Sequence, residues 1–173
     1  MGAAEEHVRV MTEDAHVAGR IAWLAALRRY MAIIVPANLA WETAHLPLYT
    51  IWRKGSWGEI TFAAVHCTAG DVLIAGASLL GALLLLGSAR RPDERYLAVA
   101  ALTLFVGVAY AIFSEWLNTQ VRGSWAYSDL MPTLPVTGTG LSPLAQWIVI
   151  PLAAFWWARR HAPDTAPVNG NSS

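Results

Sequence analysis

Between Tyr96 and Ser114 the chain runs for 19 residues without a charged side chain. At about 1.5 Å per residue a helix of that length covers about 28 Å, close to the roughly 30 Å hydrocarbon layer of a bilayer. No water reaches a backbone N–H or C=O in that layer, so a single segment can cross it only as a helix that satisfies its own backbone groups. Three other stretches have the same character, from about Tyr30 to Leu48, Ile60 to Gly87 and Leu141 to Ala158. Composition points the same way, with 14% charged residues where a soluble domain carries about 25%. The expected fold class is all-α: a polytopic membrane protein with four transmembrane helices in a bundle and an ordered outer loop between helices 3 and 4.

The remaining segments are read around those spans. Residues 1–29 lack the basic start, apolar centre and cleavage site of a signal peptide, and are expected to be a retained cytoplasmic segment ending in an interfacial helix. Residues 30–160 form the transmembrane domain, and 161–173 a disordered cytoplasmic tail. Arg9, Arg20, Arg28, Arg29, Arg90, Arg91, Arg95, Arg159 and Arg160 fall on one side of such a topology, against Arg53, Lys54 and Arg122 on the other. Excess Lys and Arg mark the cytoplasmic side, so both termini are expected in the cytoplasm of a bacterial-type inner membrane, with the bilayer as the first partner. A formal net charge of zero offers no global attraction for nucleic acid, and one cysteine, Cys67, excludes an intrachain disulfide.

Against this apolar background the ionisable residues stand out. Glu42 is the only formally charged side chain from Tyr30 to Trp52, and Asp71 the only one between Glu59 and Arg90. A charge inside a spanning helix costs roughly 3 kcal/mol or more, so such groups normally face a bundle interior or a wet cavity. Glu42 and His45 are three residues apart and share a helical face, the spacing with which helical di-iron sites present two ligands. His66 lies roughly 9 Å and Asp71 roughly 16 Å from the outer end of the second span, and their separation of five residues, about 140°, does not require one shared cavity. Glu115 and Asn118 share a face at the outer end of the third span, and Gln146 lies near the outer end of the fourth.

The long segment from Thr119 to Gly140 carries Trp125, Tyr127 and two prolines, as expected of a lid over the helix ends. Within it Thr137-Gly138-Thr139-Gly140 is not a phosphate loop, since no lysine follows and no strand precedes it. Ser142-Pro143 reads as a helix start, a capping serine followed by a first-turn proline.

These depths converge on the outer half of the membrane. The candidate catalytic residues are Glu42, His45, His66, Asp71 and Glu115, and the candidate substrate-binding residues are Asn118, Trp125, Tyr127 and Gln146. Carboxyls in unlike environments can divide the roles of acid and base, which points to an enzyme acting on a lipid-soluble or small periplasmic substrate. Glu42, His45, His66 and Glu115 also form a mixed nitrogen and oxygen set of the kind that holds zinc or iron. Two further classes remain, an accessory or assembly subunit of a membrane complex and a small proton-coupled transporter working as a homodimer.

Overall fold

The computed structural model describes residues 2–87 and 95–161, without the side chains of 3, 4 and 14–23. Most of the basic turn expected at 90–95 and all but the first residue of the expected tail lie outside the described residues. Five helices follow in order: α1 (Gly2–His45), α2 (Ile51–Lys54), α3 (Trp57–Leu86), α4 (Tyr96–Trp116) and α5 (Leu141–Arg160). A 3₁₀ turn at Leu46–Leu48 ends α1, and a π turn at Leu117–Val121 extends α4. Among the described residues the only β-structure is two isolated bridges.

Among the described residues three helices are long and apolar enough to cross a membrane: Trp57–Leu86, Tyr96–Val121 and Leu141–Arg160. Their outer faces carry the exposed apolar side chains, among them Phe62, Leu73, Leu84, Leu97, Phe105 and Leu152. Such a sheath is compatible with an integral membrane protein, because soluble monomers rarely expose apolar surface on this scale. α1 is not among the three. The end expected to span carries Asn38, Glu42 and His45, which lower its hydropathy although all three are buried in the structure.

The four long helices pack in a closed ring, α1 against α3 and α5, with α4 completing the circuit between them. α1 turns one stripe inward, Tyr30, Ile34, Asn38, Glu42 and His45, at the three- and four-residue spacing that keeps side chains on one helical face. The stripe is apolar at its lower end and polar at its upper end. Tyr30 and Ile34 join Ala75, Leu79, Ala82, Val99, Ile150, Ala154 and Phe155 in one hydrophobic core. α1 and α5 both run through their prolines, Pro36 and Pro151. On α3, Ser78 and Ala82 lie one turn apart and both are buried, whereas Ala77 is exposed and a side chain at Gly81 would meet nothing within 4 Å.

The α4–α5 contact requires a glycine. A Cβ at Gly107 would lie 2.6 Å from two carbons of the Trp147 indole. Overpacking of this kind costs about 1–3 kcal/mol. Gly107→Ala should lower the stability of the detergent-solubilised protein by that amount in denaturant unfolding; an unchanged midpoint would show that the indole can shift at no cost.

Candidate functional site

Above the core the ring opens into a cavity of about 340 Å³. α3 lines it with Ala63, His66, Cys67, Gly70, Asp71 and Ile74, spaced as one helical stripe, and α4 faces this with Tyr110, Ala111, Ser114, Glu115 and Asn118. Glu42 and His45 come from α1, Gln146 and Trp147 from α5, and Arg122, Ser124 and Trp125 from the following segment. The wall contributed by α3 is wide enough to include both His66 and Asp71, despite the angle between them.

Gln146 is the hub of the polar wall and is 1% exposed. Its Nε2 lies 2.9 Å from Asn38 Oδ1, 3.0 Å from Glu42 Oε1 and 2.9 Å from Asp71 Oδ2. An amide nitrogen carries two hydrogens, so three acceptors share two donors and at least one bond is divided. Asn38 is fixed in turn, because its Nδ2 donates to the Ile34 carbonyl at 2.8 Å and its oxygen must therefore face Gln146.

His45 is held at both nitrogens. Nε2 lies 3.1 Å from Glu42 Oε2 and Nδ1 lies 3.0 Å from Ser142 Oγ, while the Trp41 indole N–H donates to the same hydroxyl at 3.2 Å. An indole nitrogen is only a donor and leaves the Ser142 proton free for Nδ1; beside an ionised Glu42, which can only accept, a neutral imidazole carries its proton on Nε2 and donates to that carboxylate. Ser142 is therefore not the helix cap expected from Ser142-Pro143. Gly140 occupies the cap position with no side-chain bond, and the serine side chain orients the histidine instead.

The opposite wall is set by the end of α4. The π turn widens the helix at Leu117–Val121, closing with Arg122 N donating to the Leu117 carbonyl at 2.8 Å. Two carbonyls of the preceding turn are taken up by side chains, Ser114 by Asn118 Nδ2 at 2.8 Å and Glu115 by the Thr119 hydroxyl at 2.7 Å. Turns of this type occur often at functional sites. The Tyr127 hydroxyl donates to the Glu115 carboxyl and accepts from Gly140 N–H, the latter at 2.9 Å.

The segment from Arg122 to Gly140 folds back over this end of the ring. Thr50 N–H donates to the Ala126 carbonyl and Ser128 N–H to the Leu48 carbonyl, each at 2.9 Å, forming the Tyr49–Tyr127 bridge. Farther along, Leu134 N–H donates to the Thr139 carbonyl at 2.8 Å and Gly138 turns at φ 67°, a conformation that favours glycine. This is a closed backbone turn.

Burial pushes the Tyr49 and Tyr127 phenols above the ordinary tyrosine range, and the neighbouring Glu115 adds to the rise at both. A folded-state pKa above the unfolded value near about 10 means that the neutral phenol contributes its full stability below that pH and loses it as the pH climbs past it. The stability difference between the wild type and Tyr127→Phe should hold constant from about pH 6 to 9 and shrink above about 10. A difference that already varies around neutrality would contradict this.

No family model, curated protein or solved structure matches the chain. The site is therefore read from its own geometry.

Eight of the nine candidate site residues line the cavity: Glu42, His45, His66, Asp71, Glu115, Asn118, Trp125 and Gln146. Tyr127 stands behind Glu115. The four residues expected as zinc or iron ligands are not brought together as a set: among the described residues no three His, Cys, Asp or Glu side chains form a group that could hold a metal ion. His66 is exposed and stacks on Phe62 at 5.3 Å, while His45 meets Glu42 at Nε2 and Ser142 at Nδ1. Sequence reasoning missed Asn38, Ser142 and Trp41. Asn38 had a legible signal, lying one turn before Glu42 on the same face; the other two had none.

Proposed function

We propose that this chain is a four-span integral membrane protein, with α1 as the span that its site residues disguise, and an enzyme using acid/base chemistry. Glu42, Asp71 and Glu115 are its reacting carboxyls. The observation that carries this reading is the Glu42–Gln146–Asp71 cluster with His45 behind it, opening onto a cavity of ligand size. Glu42 is oriented at both oxygens, by Gln146 and by His45, as a group poised to exchange a proton. Glu115, held by Tyr127, is the second acid, and the Trp125 indole lines the cavity beside it.

The bias of basic residues supports cytoplasmic termini in a bacterial-type inner membrane, with the cavity in the periplasmic half. Transport fits less well, because the packed core from Tyr30 to Phe155 lies beneath the cavity. An accessory subunit is the second reading, favoured by the 96% exposed Val136 and 58% exposed Leu130 on the segment over the cavity.

The test is turnover. Wild-type protein reconstituted in lipid and supplied with membrane and periplasmic extracts should deplete a compound detectable by mass spectrometry. Glu115→Gln should slow that depletion by about 10²–10⁴-fold with helix content intact. Undiminished turnover in the variant would remove Glu115 from the chemistry, and no turnover by the wild type would favour the accessory reading.

A further inference from the structure

The cavity lining is exposed in two places. One lies at the helix ends, at the exposed Arg122 and Ser124; the other lies on the side of the ring, where His66 of α3 and Tyr110 of α4 both line the cavity and both stand exposed. His66 is nine residues into α3 and Tyr110 six residues before the end of α4, which places them roughly 13 Å and 9 Å along helices long and apolar enough to span. The second place therefore lies at a depth where the surroundings are lipid. Around it the wall is small or apolar, with Ala63, Gly70, Ile74 and Ala111, and the exposed flank beside it carries Phe62 and Val65.

We infer that the cavity is loaded sideways from the bilayer through the gap between α3 and α4, and that its ligand is an amphipath with a hydrogen-bond-donating, non-anionic head and an apolar chain. This rests on the proposed membrane placement and names the substrate class of the same site. A volume of about 340 Å³ equals the liquid volume of about eleven waters at about 30 Å³ each, enough for a polar head and a few carbons. A longer chain stays outside, along the apolar flank.

The head chemistry follows from the wall. Glu42, Asp71 and Glu115 present carboxyl oxygens that accept hydrogen bonds, and Arg122, at the helix ends, is the one Lys or Arg lining the cavity among the described residues. A hydroxyl head supplies donors to those oxygens, whereas a carboxylate or phosphate brings mainly further acceptors to a wall already rich in them.

The test uses the full chain in lipid nanodiscs with a long-chain alcohol carrying a chain diazirine and an alkyne tag, and the fatty acid of the same chain as the charged comparison. Gly70→Leu is the blocking variant, because a Cβ at Gly70 meets nothing within 4 Å and the added side chain extends into open space on the cavity wall. Gly81→Leu, equally free of contacts but away from the cavity, is the control.

The expected result is alcohol labelling of residues 63–74 and 110–118, reduced several-fold in Gly70→Leu, unchanged in Gly81→Leu, and much weaker with the fatty acid. Equal labelling in Gly70→Leu, or equal labelling by the fatty acid, would overturn the inference. Labelling as expected in a protein that converts no substrate would leave the side opening standing and remove the enzymatic reading. Turnover that survives Gly70→Leu unaltered would do the reverse, keeping the enzyme and removing the side route.

Discussion

Gln146→Leu is expected to be among the most destabilising single substitutions in the chain, at about 2–4 kcal/mol. Gln146 is 1% exposed, and its amide is the donor shared by Asn38, Glu42 and Asp71. Leucine fills similar volume and removes the donor, leaving three acceptors without it. A buried acceptor left unsatisfied costs about 1–3 kcal/mol. The three do not suffer equally. Asp71 is half-buried on the cavity wall and can recover part of the loss from water, whereas Asn38, 4% exposed, has no such access. That puts the sum at the bottom of the roughly 3–9 kcal/mol that three full losses would add to. Denaturant unfolding in detergent would measure it, with Asn38→Leu combined with Gln146→Leu as the informative double variant. Removing both members of a pair by apolar groups costs less than removing one, so the double variant should recover part of the loss. A Gln146→Leu effect below about 1 kcal/mol would mean that the amide does not organise the wall.

Glu42→Gln should separate chemistry from folding. Its carboxylate accepts from Gln146 at Oε1 and faces His45 Nε2 at Oε2. A glutamine keeps the volume and one acceptor but turns an amide NH₂ toward either a donating histidine or a donating Gln146. One contact is therefore mismatched, a loss of about 1 kcal/mol that the bundle can absorb. Proton exchange cannot survive the change, because an amide neither takes up nor releases a proton near neutrality. Turnover should fall by about 10²–10⁴-fold, with circular dichroism and unfolding close to wild type. Asp71→Asn gives the contrast: if transport were the function, proton-coupled flux would suffer most there. A Glu42→Gln protein with full turnover would sink the assignment of Glu42 as the reacting group.

The apolar runs of α3, α4 and α5 were legible because crossing a bilayer imposes a length and a hydropathy that few other demands imitate. α1 falls short of that hydropathy for a physical reason. Asn38, Glu42 and His45 lower the apolar score of the helix while facing inward, and an average over a window does not know which way a side chain points. Ser142 shows the opposite failure. A serine before a proline is a sound cap signal, but here a glycine in extended backbone takes the cap position, and the hydroxyl is drawn across to His45 and Trp41, 97 and 101 residues away in sequence. Local rules cannot weigh a partner at that separation.

By itself the sequence determined the all-helical class, the three apolar helices and the identity of the polar residues set among them, since composition and period along one chain carry that information. Tertiary structure decided which of those residues meet. Asp71 joins Glu42 through Gln146, His66 lies exposed beside Phe62, and Tyr127 stands behind Glu115, outside the cavity lining. The rotation of each helix about its axis makes that choice, and it is set by side-chain contacts between helices, such as the Trp147 indole seated on Gly107.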